Sequence, residues 1–208
     1  MVRAVINLFD TGFLHVLFDP KARVPHDKVT GQPIVDRVQE RIDHLVQTMS
    51  QRHDKIVIPA PVLAEFLLLG ADRRNEYLTI IRRKAVFEIA GFDDPEAVEL
   101  VEYTLRLSPT KKMKARSPET WAKLNYDRQI LAIALTRRVE ALYTMDNAVH
   151  KLAKQLGIKP CGLMDLPVPP PVQMHLEEGN NEKDQETAHA EAIPPPEATE
   201  TDTTDEST

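Results

Sequence analysis

Apolar positions in this chain come in two rhythms. Short unbroken runs fit buried strands, and runs with helical spacing fit amphipathic helices. Residues 4–9 (Ala4-Val5-Ile6-Asn7-Leu8-Phe9) form the first strand-like run and end at Asp10, with a helix beginning over 11–18. Lys21 to Gln32 is polar, holds Pro25 and Gly31, and reads as a loop. Ile34, Val38, Ile42, Leu45, Val46 and Met49 recur at helical spacing and predict a helix over 34–52. Ile56-Val57-Ile58 is a short strand stopped by Pro59, and Pro61 to Leu69 is a helix that Gly70 would cap. Further helices are predicted over 75–83, 95–107, 119–138 and 147–156, with strands over 85–89, 141–143 and 158–163. Strands alternating with helices imply a parallel sheet with crossover helices. In such sheets ligands bind beyond the carboxyl ends of the strands.

Charge divides the chain. Residues 168–208 hold eleven Asp and Glu against one Lys, whereas residues 1–167 hold 25 Lys and Arg against 21 Asp and Glu. The expected organisation is therefore a mildly basic folded domain over 1–166 and a Pro- and acid-rich tail over 167–208. The tail lacks the apolar content to offset its ordering entropy and is expected to be disordered. The single cysteine, Cys161, excludes an internal disulfide and a cysteine zinc cluster. No run approaches the ~18 apolar residues of a membrane span. The start of the chain lacks the regions of a signal peptide, so a soluble cytoplasmic protein is expected.

Four acids stand out by their place in this pattern. Asp10 follows the first strand, and Asp146 follows the strand Ala141-Leu142-Tyr143, so both belong at the same sheet edge. Glu65 lies inside the apolar helix Val62-Leu63-Ala64-Glu65-Phe66-Leu67, and Asp127 precedes Ile130-Leu131-Ala132-Ile133-Ala134-Leu135. Acids set in so much apolar sequence are not expected to face open solvent. Each has a plain structural alternative. Asp10 and Asp146 could cap helices, Glu65 could pair with an Arg in 73–83, and Asp127 could pair with Arg128 or Arg137. Gathered together, four carboxylates would repel unless cations sat among them, and oxygen donors select hard ions such as Mg²⁺ or Mn²⁺. The segment with Lys111, Lys112, Lys114 and Arg116 is a basic loop that could contact phosphates or merely be solvated. Lys123 could approach a phosphate or pair with Asp127 one turn away. His15 and His150 lie near the acids in sequence. Trp121 could stack a base or belong to the core.

These residues resemble the PIN domain family, which includes VapC-type toxin ribonucleases, over roughly residues 4–163. The resemblance is carried by Phe9-Asp10-Thr11, by Ile58-Pro59-Ala60-Pro61-Val62-Leu63-Ala64-Glu65, by Asp127-Arg128-Gln129-Ile130-Leu131-Ala132-Ile133-Ala134, and by Tyr143-Thr144-Met145-Asp146. It implies a Rossmann-like parallel sheet flanked by helices and a Mg²⁺- or Mn²⁺-dependent endoribonuclease acting on RNA. Asp10, Asp127 and Asp146 would hold metal, with Glu65 as a further ligand or water-positioning group and Thr11 and Thr144 in support. It also implies an antitoxin partner and a homodimer. Gly12 stands where the family usually has Asn or Ser, no further acid closely follows Asp146, and 19–55 is longer than in compact toxins. Three rivals remain: a catalytically silent PIN-like module that binds RNA or protein, a structure-specific DNA nuclease, and a phosphatase with an aspartate after strand one. The last is disfavoured by Gly12, where such enzymes carry a second Asp.

Overall fold

In the computed structural model, residues 4–27, 29–107 and 118–170 are described, and the helix entered at Pro118 is described at side-chain level from Ala122. The basic segment with Lys111, Lys112, Lys114 and Arg116, the Trp121 side chain and residues 171–208 lie outside the described residues. Five strands form one parallel sheet: β1 (Ile6–Phe9), β2 (Lys55–Pro59), β3 (Phe87–Ala90), β4 (Ala141–Tyr143) and β5 (Lys159–Cys161). Their order is β3-β2-β1-β4-β5. Seven α-helices lie between them among the described residues: α1 (Thr11–Phe18), α2 (Val38–Gln51), α3 (Ala60–Leu69), α4 (Arg74–Arg83), α5 (Asp94–Leu107), α6 (Pro118–Thr136) and α7 (Asn147–Gln155). No helix among the described residues is long and apolar enough to cross a membrane.

The strands are short and apolar because both faces of the sheet are covered. Leu8, Phe9, Ile56, Val57, Ile58 and Leu142 are buried from both sides. The helices add matching stripes. In α2, Ile42, Leu45, Val46 and Met49 are buried, and in α6 every residue from Ile130 to Ala134 is. Each fully buried Leu, Ile or Phe contributes about 1.5–3 kcal/mol. Phe9, Phe13 and Tyr143 pack ring against ring at centroid distances of 5.0–5.6 Å and tie the end of β1 to α1 and β4.

Element boundaries fall within a few residues of those expected. The described residues of 21–32 are irregular, as expected, but so are 34–37, and the helix predicted from Ile34 starts only at Val38. Pro25 and Gly31 sit in a loop pinned by Asp27, which accepts from the Val29 and Thr30 amides, and by a lone antiparallel bridge between His26 and Pro33. Gly157, at φ +78°, ends α7 where a side chain would be strained. Gly70 ends α3 at φ −102°, without the left-handed conformation of a glycine cap.

The sheet order positions the site. The chain runs outward from β1 to β2 to β3, then returns to place β4 on the other side of β1. The two halves diverge at β1 and β4, opening a crevice beyond their carboxyl ends. Phe9 is paired with Tyr143 there.

Candidate active site

Asp10 and Asp146 leave the sheet at that switch point, one residue after β1 and three after β4. Asp10 donates its amide to the Tyr143 carbonyl at 3.1 Å, so the β1 ladder continues into the site. Both acids cap helices, as their alternative reading had it. Asp10 Oδ1 accepts from the Phe13 amide at 2.8 Å at the start of α1. Asp146 Oδ1 accepts from the amides of Ala148 at 2.7 Å and Val149 at 3.4 Å at the start of α7. Such caps contribute about 1 kcal/mol each. Capping engages one carboxylate oxygen of each residue and aims both side chains at the same crevice.

A cleft of about 900 Å³ opens there, and Asp10, Thr11, Glu65, Lys123, Asp127 and Asp146 all line it. The four acids singled out in the sequence thus come together, brought by β1, α3, α6 and the β4–α7 turn. They differ in burial. Asp10 and Asp127 are each 9% exposed, whereas Asp146 is half-buried and Glu65 is exposed at the rim. The apolar setting of Glu65 did not bury it. α3 buries only Val62 and Phe66 and leaves Leu68 and Leu69 in solvent. Glu65 is held instead by the Thr11 hydroxyl, which donates to its Oε2, rather than by an Arg in 73–83. The Tyr126 hydroxyl donates to the Pro61 carbonyl and fastens the start of α3 to α6.

Electrostatics separates the acids further. Burial pushes the Asp127 carboxyl up to about 6, and the negative charges of Asp146, Glu65 and Asp10 add to that effect. Burial also raises Asp10, against the opposing pull of Thr144 and the Phe13 and Met145 amides. For Asp146 burial acts upward too, but Lys123 and the Ala148 and Val149 amides outweigh it and hold the carboxyl below its ordinary range. Lys123 Nζ donates to Asp146 Oδ2 at 2.7 Å, and this bond raises the lysine in turn. Sequence spacing suggested Asp127 as its partner. The partner is Asp146 at the α7 cap, a contact between two elements that spacing along one helix does not report.

Thr144 is buried, and its hydroxyl oxygen accepts from the Asp146 amide at 3.0 Å, shaping the turn that presents Asp146. The absent side chain at Gly12 has a packing reason. A Cβ there would lie 2.7 Å from Met145 Cε and 3.4 Å from Asp10 Oδ1, so the Met145 side chain fills that space. His15 packs edge-on against Phe66 outside the cleft lining. His150 and Asn147 line a smaller adjoining cavity of about 280 Å³ that shares Met145 and Asp146 with the cleft.

The donor set is all oxygen, with four carboxylates against one ammonium among the described lining residues. Asp127 is nine-tenths buried and has no hydrogen-bond partner among the described residues. That chemistry fits a hard divalent cation. The spacing is looser: among the described residues no three His, Cys, Asp or Glu side chains are close enough together to hold one ion.

No family model matches the chain, and no curated protein matches it. Solved structures do. VapBC2 from Rickettsia felis, bound to a DNA fragment from its promoter, matches with a TM-score of 0.50 at 14% identity, covering 76% of this chain and 98% of that one. DNA-bound VapBC from Salmonella typhimurium gives 0.45 at 16% identity, covering 76% and 98%. The Mycobacterium tuberculosis Sarcin-Ricin loop cleaving toxin VapC20 gives 0.44 at 13%, covering 70% and 94%. At such identities a likeness speaks to architecture alone, and in architecture the chain has the VapC-like PIN fold.

Proposed function

We propose that this chain is a metal-dependent endoribonuclease that hydrolyses RNA phosphodiester bonds at the Asp10–Glu65–Asp127–Asp146 cleft. The observation that carries this reading is the gathering of four carboxylates at the switch point, with Asp127 buried and without a hydrogen-bond donor among the described residues. Such an arrangement lowers stability unless a cation is drawn to it. Asp10, Asp127 and Asp146 would hold Mg²⁺ or Mn²⁺. Bound there, the ion would neutralise the carboxylates, supply an activated water and stabilise charge on the phosphate. Glu65, held at the rim by Thr11, would serve as a further ligand or orient the attacking water. Thr144 fixes the turn that aims Asp146. Lys123 is the cationic side chain among the described lining residues available to a substrate phosphate.

The fold shared with the Rickettsia VapBC2 complex supports a toxin role with an antitoxin partner, and the family resemblance supports a homodimer. The basic segment with Lys111, Lys112, Lys114 and Arg116 would add sequence-independent phosphate contacts. A second reading, a silent PIN-like module that binds RNA or protein, is favoured by one observation: Lys123 occupies Asp146, and among the described residues no three acids stand at ligating distance.

The test is incubation of the full chain with a mixed RNA substrate and Mn²⁺ or Mg²⁺, beside Asp10→Asn and Asp146→Asn, with EDTA as control. Metal-dependent cleavage lost in both variants supports the nuclease. Absence of cleavage and of metal binding by folded protein supports the silent module. Cleavage that survives both substitutions means that other residues carry the chemistry.

A further inference from the structure

Asp146 has no free oxygen. Its Oδ1 serves the α7 amides, and its Oδ2 accepts from Lys123 Nζ at 2.7 Å. Lys123 stands one helical turn before Asp127 on α6, and Asp127 is nine-tenths buried, lines the same cleft and lacks a hydrogen-bond partner among the described residues. Lys123 is therefore tied to one acid and a turn away from the acid in greatest need of a cation. Its own side chain is 64% exposed, on a flexible four-carbon stem. Both side chains reach solvent, which screens the pair, so little opposes its opening.

We propose that Lys123 is the resident cation of the metal-free site, and that a divalent ion enters by displacing its ammonium from Asp146 Oδ2. This rests on the metal-dependent reading above and deepens it. That no three acids among the described residues stand at ligating distance then follows from the lysine: while the ammonium satisfies Asp146, that carboxylate has no reason to draw toward Asp127. Once displaced, the ammonium stays at the cleft mouth as a point charge for a phosphate oxygen.

The test is Mn²⁺ binding by the full chain, read as loss of the free-ion EPR signal, for the unaltered protein, Lys123→Met, Lys123→Arg and Asp127→Asn. Removing the competing ammonium lowers the Mn²⁺ Kd of Lys123→Met about fivefold, the equivalent of an exposed pair worth about 1 kcal/mol. Lys123→Arg keeps the competitor and stays near the unaltered value, and Asp127→Asn binds more weakly. A second readout follows the lysine itself: saturating Mn²⁺ raises the rate at which Lys123 is acetylated by acetic anhydride, measured by mass spectrometry. Equal or weaker Mn²⁺ binding by Lys123→Met, with metal-dependent RNA cleavage intact, overturns the displacement and leaves the nuclease standing. Mn²⁺ binding by none of the four proteins overturns both.

Discussion

Two sets of buried acids sit in this fold, and they have opposite surroundings. Glu96, 6% exposed at the start of α5, accepts from the Asp93 amide at 3.1 Å and from the Thr136 hydroxyl at 2.7 Å. Burial acts to raise its carboxyl, yet these donors hold it below its ordinary range. Asp54, also 6% exposed, accepts from the Val5 amide at 2.9 Å with Arg52 3.7 Å away, and anchors the entry to β1. Asp127 is scarcely more exposed, at 9%, but has no donor among the described residues and three like charges nearby, and its carboxyl is pushed up to about 6. Depth alone therefore does not mark a functional acid. Partners decide it: Glu96 and Asp54 belong to the scaffold, whereas Asp127 lacks a hydrogen-bond donor among the described residues, and the nearby Lys123 charge offsets only part of its burial cost.

The sharpest way to break this contrast is activity. Asp10→Asn and Asp146→Asn should each lower single-turnover RNA cleavage by about 10²–10³-fold, the several kcal/mol expected when a metal ligand is lost. Glu96→Gln should leave the rate within about twofold. Stability should respond in the reverse sense. Glu96→Ala leaves the Asp93 amide and Thr136 hydroxyl unpaired and should cost about 2 kcal/mol, a fall in Tm of roughly 4–8 °C in a thermal melt.

Asp127→Asn should stabilise the metal-free protein. Because the folded value of about 6 lies above the unfolded carboxylate value of about 3.9, the folded state binds the proton more tightly. Stability then falls as pH rises from about 4 to about 6, and the penalty is complete above that. Denaturant melts at pH 7.5 should show a gain of about 1–2 kcal/mol for Asp127→Asn that shrinks toward zero near pH 4. The smallest effect is expected at Gly12→Ala. The obstructing atom is the far end of Met145, so a cost under about 1 kcal/mol is expected, with cleavage reduced only as far as the shifted Met145 disturbs Asp10.

Much of the scaffold was legible because short apolar runs and helical stripes are local signals. The strand 141–143 and the helix from Asn147 lie where the pattern put them. The late start of α2 at Val38 shows the limit: Ile34 fits the helical spacing but is exposed and belongs to the irregular segment. The shared edge of Asp10 and Asp146 was legible from one rule, that strand ends in a parallel sheet lie together, whereas Glu65 and Asp127 were singled out only by their apolar setting, and that setting did not bury Glu65. The acids' individual surroundings were not legible. That Thr11 holds Glu65 at the rim, that Lys123 pairs with Asp146, and that Met145 fills the space at Gly12 all depend on contacts between elements far apart in the chain. Glu96 shows the converse, since nothing in Asp93-Asp94-Pro95-Glu96 announces a buried acid satisfied by Thr136 forty residues later.

Whether the cleft is built for a cation at the expense of stability is read from the thermal melt of the unaltered chain and Asp127→Asn at pH 7.5 with and without Mn²⁺. Asp127→Asn is expected to melt higher without metal, and Mn²⁺ to raise the Tm of the unaltered chain while adding little to the variant. A variant that melts lower without metal, or an equal Mn²⁺ gain in both proteins, would show that the cleft is not so built.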